Sequence, residues 1–372
     1  MNGFSIEESK CVYGAKIKVI GVGGGGGNMI NHMVREGIQG IELIAANTDA
    51  QALENCAAKT KIQLGRKGLG AGMKPEIGRE SALESYDEIK TALEKADIVF
   101  IASGFGGGTG TGAAPVVAQA AKEIGALTVA VVTRPFMFEG KKRAKLAEVG
   151  LNELRKESDS IVIIPNDKLL AIIDPKSGIK DSFRIVDDVL SRAVSGMSLV
   201  VLSSGDSDIN VDFADVQTVM SHRGMALMGI GESTGEDAGL EAVKSAIESP
   251  LLDNLSINGA LGVLVHFHIP PTYPLTEINN AMQLILDCAD EDADVIFGTT
   301  TDANMEENSV KVTIVATGFE NKVEETKELK LLNSNQEAIK KERILRMKKV
   351  SGGYEGQEDY LDIPTYIRHQ MD

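Results

Sequence analysis

The 372-residue chain lacks the features that mark secreted and membrane-spanning proteins. Its three cysteines, Cys11, Cys56 and Cys288, stand far apart without a CxxC pair, which argues against a disulfide framework or a cysteine zinc site. No window contains the ~18 apolar residues of a membrane-spanning helix, and the first ten residues lack a basic start followed by an apolar stretch. We therefore expect a reduced, cytoplasmic protein that reaches a membrane only through a partner.

Basic residues are also scarce relative to acidic ones. Lys and Arg number 38 against 54 Asp and Glu, and the net charge of −16 repels phosphate backbones and anionic lipid. The remaining composition, 43% hydrophobic and 25% charged, is that of a globular protein, and the length allows about two domains of roughly 100–200 residues. General nucleic-acid binding and disorder of the whole chain are thereby disfavoured.

Short apolar runs alternate with helical stretches through the first half of the chain. A strand that is buried on both faces loses the polar alternation of a half-exposed strand, so these runs predict a parallel sheet with helices on both sides. We predict a doubly wound α/β domain over residues 12–180. The runs are KIKVIG from Lys16, IELIAAN from Ile41, DIVFIAS from Asp97, LTVAVVT from Leu127 and SIVIIPN from Ser160.

The rest of the chain divides into four segments. Helical periodicity over residues 181–204 predicts a long central helix, and four further apolar runs with two helical stretches predict a second, smaller α/β domain over residues 205–319. Residues 320–358 are charged and predict a flexible linker, in which the basic stretch 339–349 is better explained as a solvated helix than as a membrane-surface helix. Apolar residues return in segment 359–372, which we predict to be a docking tail.

A glycine-rich segment, GVGGGGGN at residues 21–28, directly follows the first predicted strand. Glycines let backbone amides approach phosphate oxygens, and a following helix offers its positive N-terminus. Gly21, Gly23 and Gly26 also fit GxGxxG, with Asp49 near the end of the next strand, so an NAD-dependent oxidoreductase is one interpretation. The sequence contains no GxxxxGK[ST], which excludes a P-loop NTPase on its own motif.

A second glycine-rich segment, GFGGGTGTG at residues 104–112, follows the third apolar run of the sheet. A dinucleotide-binding fold assigns no task to a second segment of this kind. Its free amides, together with the hydroxyls of Thr109 and Thr111, suit further phosphate groups. Two such segments at one sheet favour a nucleoside triphosphate as the ligand.

The motif GGGTGTG at residues 106–112 resembles the signature of the tubulin/FtsZ GTPase superfamily. Further segments resemble the FtsZ family more than the tubulins, and the tail DYLDIPTYIRHQ is similar to that family's partner-binding peptide. The resemblance implies a GTPase that binds GTP and GDP with Mg²⁺ on the phosphates and forms head-to-tail homopolymers in the division ring at midcell, beneath the inner membrane. The segments are NTDAQAL at 47–53, GLGAG at 68–72, RPFMFEGKKR at 134–143, IPNDKLL at 164–170 and NVDFADV at 210–216.

The same resemblance implies which residues contact the nucleotide. Glu139 and Arg143 would face the ribose and base, Phe183 would stack on the ring, and Asn166 and Asp187 would read the guanine. A carboxylate such as that of Asp187 can accept the paired N1–H and N2–H donors that adenine lacks. The phosphates and their γ end would be cradled by Gly24, Gly25, Gly26, Gly27, Asn28, Ala71, Gly72, Gly107, Gly108, Thr109 and Gly110.

Catalysis is implied for Asp212 and Asp215, together with Asn210. The two carboxylates lie three residues apart at a helix start and could orient a water molecule, although a helix cap with an acidic first turn is the plainer explanation. About 17 residues of helix at ~1.5 Å each separate Asp187 from this region, so one subunit cannot bring both to one nucleotide. We therefore expect hydrolysis where the next subunit caps the site, and a head-to-tail contact that does not close forms a filament.

Partner binding is expected at the tail, and no nucleic acid or direct membrane insertion is expected. A non-polymerising nucleotide-binding scaffold and the NAD oxidoreductase are the alternatives, but the latter leaves residues 106–112 and 210–216 unused. The tail residues that would bind a membrane-tethering adaptor and ring regulators are Leu361, Ile363, Pro364, Tyr366, Ile367 and Arg368. No side-chain metal site is predicted, since these histidines do not cluster at ligand spacing: His32, His222, His266, His268 and His369.

Overall fold

The computed structural model describes most of the chain between Ala15 and Phe319. Asn210, the linker 320–358 and the tail 359–372 lie outside the described residues, so what was predicted for them stays a prediction. The described residues are 15–38, 40–170, 173, 178–202, 209, 211–222, 224–249 and 259–319.

Six parallel strands form the sheet of the first half, in the order β3-β2-β1-β4-β5-β6. The five predicted apolar runs are all strands, and the side chains of β4 are buried on both faces, as continuous apolar runs require. The additional strand, β3, lies at the edge. The strands are β1 (Ile17–Val22), β2 (Ile41–Asn47), β3 (Thr60–Gln63), β4 (Ile98–Gly104), β5 (Leu127–Arg134) and β6 (Ser160–Pro165).

Helices cover both faces of this sheet, which confirms the doubly wound architecture. One face packs against α1 and α8 through a core that includes Met29, Phe100 and Leu190, and the other packs against α3 to α6 through Ile20, Val117 and Leu151. The helices are α1 (Gly23–Glu36), α2 (Ala50–Glu54), α3 (Pro75–Glu84), α4 (Tyr86–Leu93), α5 (Thr109–Glu123), α6 (Lys141–Glu157), α7 (Asn166–Leu169) and α8 (Ile179–Leu202).

The second half extends the same sheet. Strand β7 pairs in parallel with β6 and antiparallel with β10, so the described residues form one ten-stranded sheet that continues β6-β7-β10-β8-β9. No helix in the described ranges combines the length and apolar content needed to cross a bilayer. The elements are α9 (Phe213–Ser221), β7 (Gly224–Thr234), α10 (Ala238–Ile247), β8 (Gly262–Ile269), α11 (Leu275–Cys288), β9 (Asp294–Thr301) and β10 (Ser309–Thr317).

Helix α8 runs across the parallel sheet from the carboxyl ends of its strands to their amino ends. Its last residue, Leu202, lies against Gly40, directly before β2, where a Cβ on Gly40 would be 3.2 Å from a Leu202 methyl carbon. Its first turns, by contrast, lie beyond the carboxyl ends of the strands, where Phe183 and Asp187 line a cavity with Asn166, the residue after β6. The helix therefore runs antiparallel to the strands, with its first turns at their carboxyl ends and its last turn at their amino ends.

Candidate nucleotide site

A cavity of about 330 Å³ opens at the carboxyl ends of β4, β5 and β6, between the first turns of α1, α5 and α8. The structure brings to its wall all the predicted nucleotide-contacting residues except Gly26, Gly27 and Ala71. A larger cavity, of about 830 Å³, lies at the opposite edge around Lys16 and Gly40, and neither glycine-rich segment reaches it.

Residues 21–22 of the first glycine-rich segment end β1 and residues 23–28 form the start of α1, so the glycines expected to precede a helix are its first turns. Helix α1 begins at Gly23, and no side chain caps its first turn, so the amide groups at this N-terminus are left for a ligand. Helix α5 likewise begins at Thr109 without a side-chain cap. Two uncapped helix N-termini therefore meet at the cavity, which suits the oxygens of a polyphosphate.

The glycines differ in what surrounds them. A Cβ on Gly108 would lie 2.4 Å from the carbonyl oxygen of Gly72, so the chain at residues 71–72 packs directly against the second glycine-rich segment. A Cβ on Gly26 would lie 2.4 Å from the carbonyl oxygen of Ala102, which lets α1 approach β4 closely. Gly24 and Gly107 have no neighbour within 4 Å of such a Cβ, and both line the cavity. Gly26 and the buried Ala71 therefore support the wall instead of forming it.

A pair of threonines, which sequence reasoning did not connect, supports the phosphate end. The hydroxyl oxygens of Thr48 and Thr109 are 2.6 Å apart, and Thr48 is buried. The Gly70 amide donates to the Thr48 carbonyl at 3.0 Å, and the Ala50 amide donates to the Gly68 carbonyl. The segment after β2 thus holds residues 68–70 by backbone hydrogen bonds and also contacts the first residue of α5. Thr48 lies in the noted NTDAQAL segment, but only the fold shows its contact with a residue 61 positions away.

Polar groups at the other end of the cavity come from α6, α7 and the turn before α6. Glu139 pairs with Arg143 and accepts a hydrogen bond from the Phe136 amide at 2.9 Å, so both side chains are held at the rim. Asn166 is 6% exposed, and its amide oxygen has no hydrogen-bond partner among the described residues. A buried acceptor without a partner costs free energy, so an N–H donor from a ligand would be stabilising here.

Asp187 and Phe183 project from the first turns of α8 into the same end of the cavity. Burial raises the pKa of Asp187 from its ordinary 3.8 to about 6, and the positive charge of Arg35 opposes this rise. Phe183 is half-exposed and meets Phe136 edge to face, with ring centroids 5.7 Å apart. An aromatic face beside a carboxylate suits a purine base that offers two N–H donors.

Asp212 and Asp215 do not reach this cavity. Asp212 caps α9 by accepting from the Ala214 amide at 3.3 Å, and both carboxylates are exposed. The adjacent Val211 packs near Gly298, which also faces Val200 of α8. Val200 lies about 13 residues beyond Asp187, or roughly 20 Å along the helix axis.

Asp49, the residue on which the NAD interpretation depends, has a structural role instead. Its carboxylate accepts from the amides of Gln51 and Ala52 at 3.0 and 3.1 Å, which caps α2, and it does not line the cavity. Gly21 and Gly26 pack against each other at the start of α1. Asp49 is therefore a helix cap outside the cavity and is not placed to hold the ribose of a ligand bound there.

The two uncapped helix starts, the shared cavity and the crossing helix α8 define a tubulin-like nucleotide-binding protein. The comparison with family models agrees: residues 16–174 match the Tubulin/FtsZ family, GTPase domain, and residues 224–320 match the FtsZ family, C-terminal domain. The chain belongs to the FtsZ family, and it is a GTPase. The family resemblance inferred from the sequence is thereby confirmed, and the NAD interpretation is wrong.

Individual relatives cover nearly the whole chain. The cell division protein FtsZ of Helicobacter pylori strain J99 is 48% identical over 377 residues, covering 99% of this chain and 96% of that protein. The protein of the same name from Pseudomonas aeruginosa is 45% identical over 388 residues, covering 96% and 97%. A solved FtsZ dimer from M. jannaschii is 48% identical with a TM-score of 0.78, covering 82% of this chain and 89% of that one. CetZ2 from Haloferax volcanii, at 21% identity and a TM-score of 0.71, covers 88% of this chain and 99% of that one and shares the fold.

Proposed function

We propose that this protein assembles head to tail with GTP bound, hydrolyses the GTP at the contact between successive subunits, and builds the division ring at midcell. Two similarities support this proposal. The relatives from H. pylori and P. aeruginosa carry the name cell division protein, and the M. jannaschii FtsZ is a dimer. Polymerisation and hydrolysis are then one event, because neither subunit holds a complete site.

The observation that carries the proposal is the separation of the two groups of functional residues. The cavity and its glycines lie beyond the carboxyl ends of the strands, whereas Asp212 and Asp215 follow the far end of α8, roughly 20 Å away along its axis. Both carboxylates are exposed and lie within three residues of one another. They are therefore available to a nucleotide bound by a neighbouring copy, where they would orient the attacking water. A contact between unlike surfaces that does not close generates a filament.

Within the cavity we assign the phosphates to the α1 and α5 N-termini and the guanine to Asn166 and Asp187. The carboxylates of the wall, Glu139 and Asp187, belong to the base end. Mg²⁺ would therefore bind on the phosphates, where it would neutralise their charge, and the wall offers the side-chain oxygens of Asn28, Thr109 and Thr133. This arrangement fits a cation that is held mainly by its nucleotide.

We further propose that the tail 359–372 binds the protein adaptor that tethers the filaments to the membrane. Leu361, Ile363, Tyr366 and Ile367 would form an apolar face after Pro364 allows a helical turn to begin. Assembly beneath the inner membrane at midcell would follow from this docking.

The dependence of turnover on protein concentration tests the shared site. If hydrolysis needs two subunits, the GTPase rate per molecule rises steeply with protein concentration and then levels off once all subunits are in contact. Light scattering with GTP and with GDP, recorded on the same samples, reports assembly independently. A rate per molecule that stays constant from dilute to concentrated protein would contradict the proposal and favour a non-polymerising scaffold.

A further inference from the structure

Three side chains of metal-ligating type meet between α1 and α8, outside the nucleotide cavity. The Nε2 atom of His32 lies 3.2 Å from Asp188 Oδ1 and 3.8 Å from Glu36 Oε1. All three ligand atoms lie within 4.8 Å of one another. We propose that His32, Glu36 and Asp188 bind one divalent transition-metal ion, with Zn²⁺ as the best-suited species. No sequence pattern connects these residues, because Asp188 lies 156 residues from His32.

The spacing of the three atoms fits tetrahedral coordination. Zinc binds imidazole nitrogen and carboxylate oxygen at about 2.0–2.1 Å, which places neighbouring ligand atoms of a tetrahedron roughly 3.3–3.4 Å apart. The separations of 3.2 and 3.8 Å from His32 bracket that value. His32 and Glu36 lie four residues apart on α1, so a single helix face presents two ligands, and Asp188 approaches from α8. A water molecule would complete the coordination.

Each carboxylate is oriented by a further partner. The Ser191 hydroxyl donates to Glu36 Oε2 at 2.9 Å, and Arg192 Nε forms an ion pair with Asp188 Oδ2 at 2.9 Å. One oxygen of each carboxylate is thereby held, and the other oxygen faces His32. Partners of this kind fix the ligands of metal sites and raise their affinity. Two carboxylates converge here, and the nearby Arg192 also pairs with Glu232, so the cluster offers negative charge to a cation.

A second histidine of the described chain, His222, contacts an aspartate in a comparable way. His222 Nε2 lies 3.2 Å from Asp294 Oδ2, in contact with a single carboxylate. Within the described ranges, His32, Glu36 and Asp188 form the one group of three such ligands close enough to share an ion. His222 therefore provides a matched control, since it has the same kind of histidine–aspartate contact without a third ligand.

The ion would join two helices that both contribute residues to the wall of the nucleotide cavity. His32 lies one turn, about 6 Å, beyond the cavity residue Asn28 on α1, and Asp188 directly follows Asp187 on α8. The site is separate from Mg²⁺ bound on the phosphates. The inference does not depend on the proposed polymerisation, and binding is measured without nucleotide.

Zinc titration of the full-length, untagged protein tests the site. The protein is stripped with a chelator and dialysed, then titrated with ZnCl₂ against a chromogenic zinc indicator, without nucleotide or magnesium. We expect one zinc equivalent that is lost in His32→Ala and bound at least ~10-fold more weakly in Glu36→Gln and Asp188→Asn. His222→Ala should bind as the unchanged protein does. Zinc held by thiols elsewhere would remain equal in all variants and so cancels in the comparison.

Two outcomes would overturn the inference. Equal zinc stoichiometry and affinity in the unchanged protein and in His32→Ala would show that the three residues form only ion pairs. Loss of binding in His32→Ala with full binding in both Glu36→Gln and Asp188→Asn would show that the carboxylates are not ligands. The Gln and Asn substitutions keep the side-chain shape, and far-UV circular dichroism of each variant verifies the fold.

Discussion

Replacing Asp187 with Asn should stabilise the nucleotide-free protein and weaken guanine binding. Burial raises the pKa of Asp187 from 3.8 to about 6, so its negative charge is unfavourable in the folded protein without ligand. A bound guanine would supply two N–H donors that favour the charged form. With the proposed guanine contact, the residue would lower stability in exchange for specificity, a compromise common at functional sites.

The magnitude follows from the pKa change. At about 1.36 kcal/mol for each pKa unit, ionisation of the folded form costs roughly 3 kcal/mol, and solvent screening of this half-buried group reduces that to about 1–2 kcal/mol. The folded-state pKa lies above the unfolded one, so the full stability is present below pH ~3.8 and is lost as the pH rises to about 6. Asp187→Asn should therefore gain about 1–2 kcal/mol at pH 7.5 and nothing near pH 3.8.

Calorimetric titration with GDP at pH 7 and pH 5 gives the binding readout. With a pKa of about 6, the charged fraction of Asp187 falls from about nine tenths to about one tenth, so affinity should fall about tenfold. The terminal phosphate of GDP also titrates in this range, and the Asp187→Asn protein, which retains that contribution, isolates the part due to the carboxylate. An identical pH dependence in both proteins, or an Asn variant less stable at pH 7.5, would refute the reasoning.

Other substitutions separate binding from turnover. Gly107→Ala should fold normally but lose at least ~10-fold in GDP affinity, because its methyl group would enter the cavity. The control Gly27→Ala lies outside the cavity wall, so it should keep its GDP affinity and gain about 0.5–1 kcal/mol of stability. Equal GDP affinities of the two variants would contradict the assigned phosphate end. Asp212→Asn and Asp215→Asn should bind GTP normally yet lose at least ~100-fold in turnover at saturating GTP. Asn is chosen because it preserves the α9 cap at position 212. Weaker GTP binding by the monomeric variants would contradict a role in turnover alone. Deleting residues 359–372 should leave turnover and assembly near normal and abolish adaptor binding in a pull-down. Adaptor binding that persists in the truncated protein would contradict the tail as the docking segment.

The fold was largely predictable because its strands are continuous apolar runs between helices. The edge strand β3 was missed, since TKIQ is four residues long and Ile62 alone among them is buried. The helical start at Gly23 was also missed, because glycine disfavours helices and the local sequence resembles a loop. The close approach of Gly26 to Ala102 shows that tertiary packing outweighs this local preference.

The site was predictable where a motif carries it and hidden where two distant segments meet. The glycine-rich segments and Asp187 were located by similarity, and the structure places them around one cavity. The contact of Thr48 with Thr109 and that of His32 with Asp188 join residues 61 and 156 positions apart. No spacing rule connects such pairs, because the packing of α1, α5 and α8 determines which side chains meet.

Mixing two inactive variants tests the shared site most directly. Gly107→Ala should be defective in nucleotide binding and keep Asp212, while Asp212→Asn binds GTP but lacks the carboxylate; contacts between the two place an intact Asp212 against a bound GTP. With GTP held near the dissociation constant of the unchanged protein, where Gly107→Ala binds little nucleotide, we expect each variant alone to be nearly inactive and an equimolar mixture to exceed the mean of the two separate rates several-fold. The absence of any recovery across mixing ratios, with both variants folded and co-sedimenting in filaments, would contradict hydrolysis at the contact between subunits.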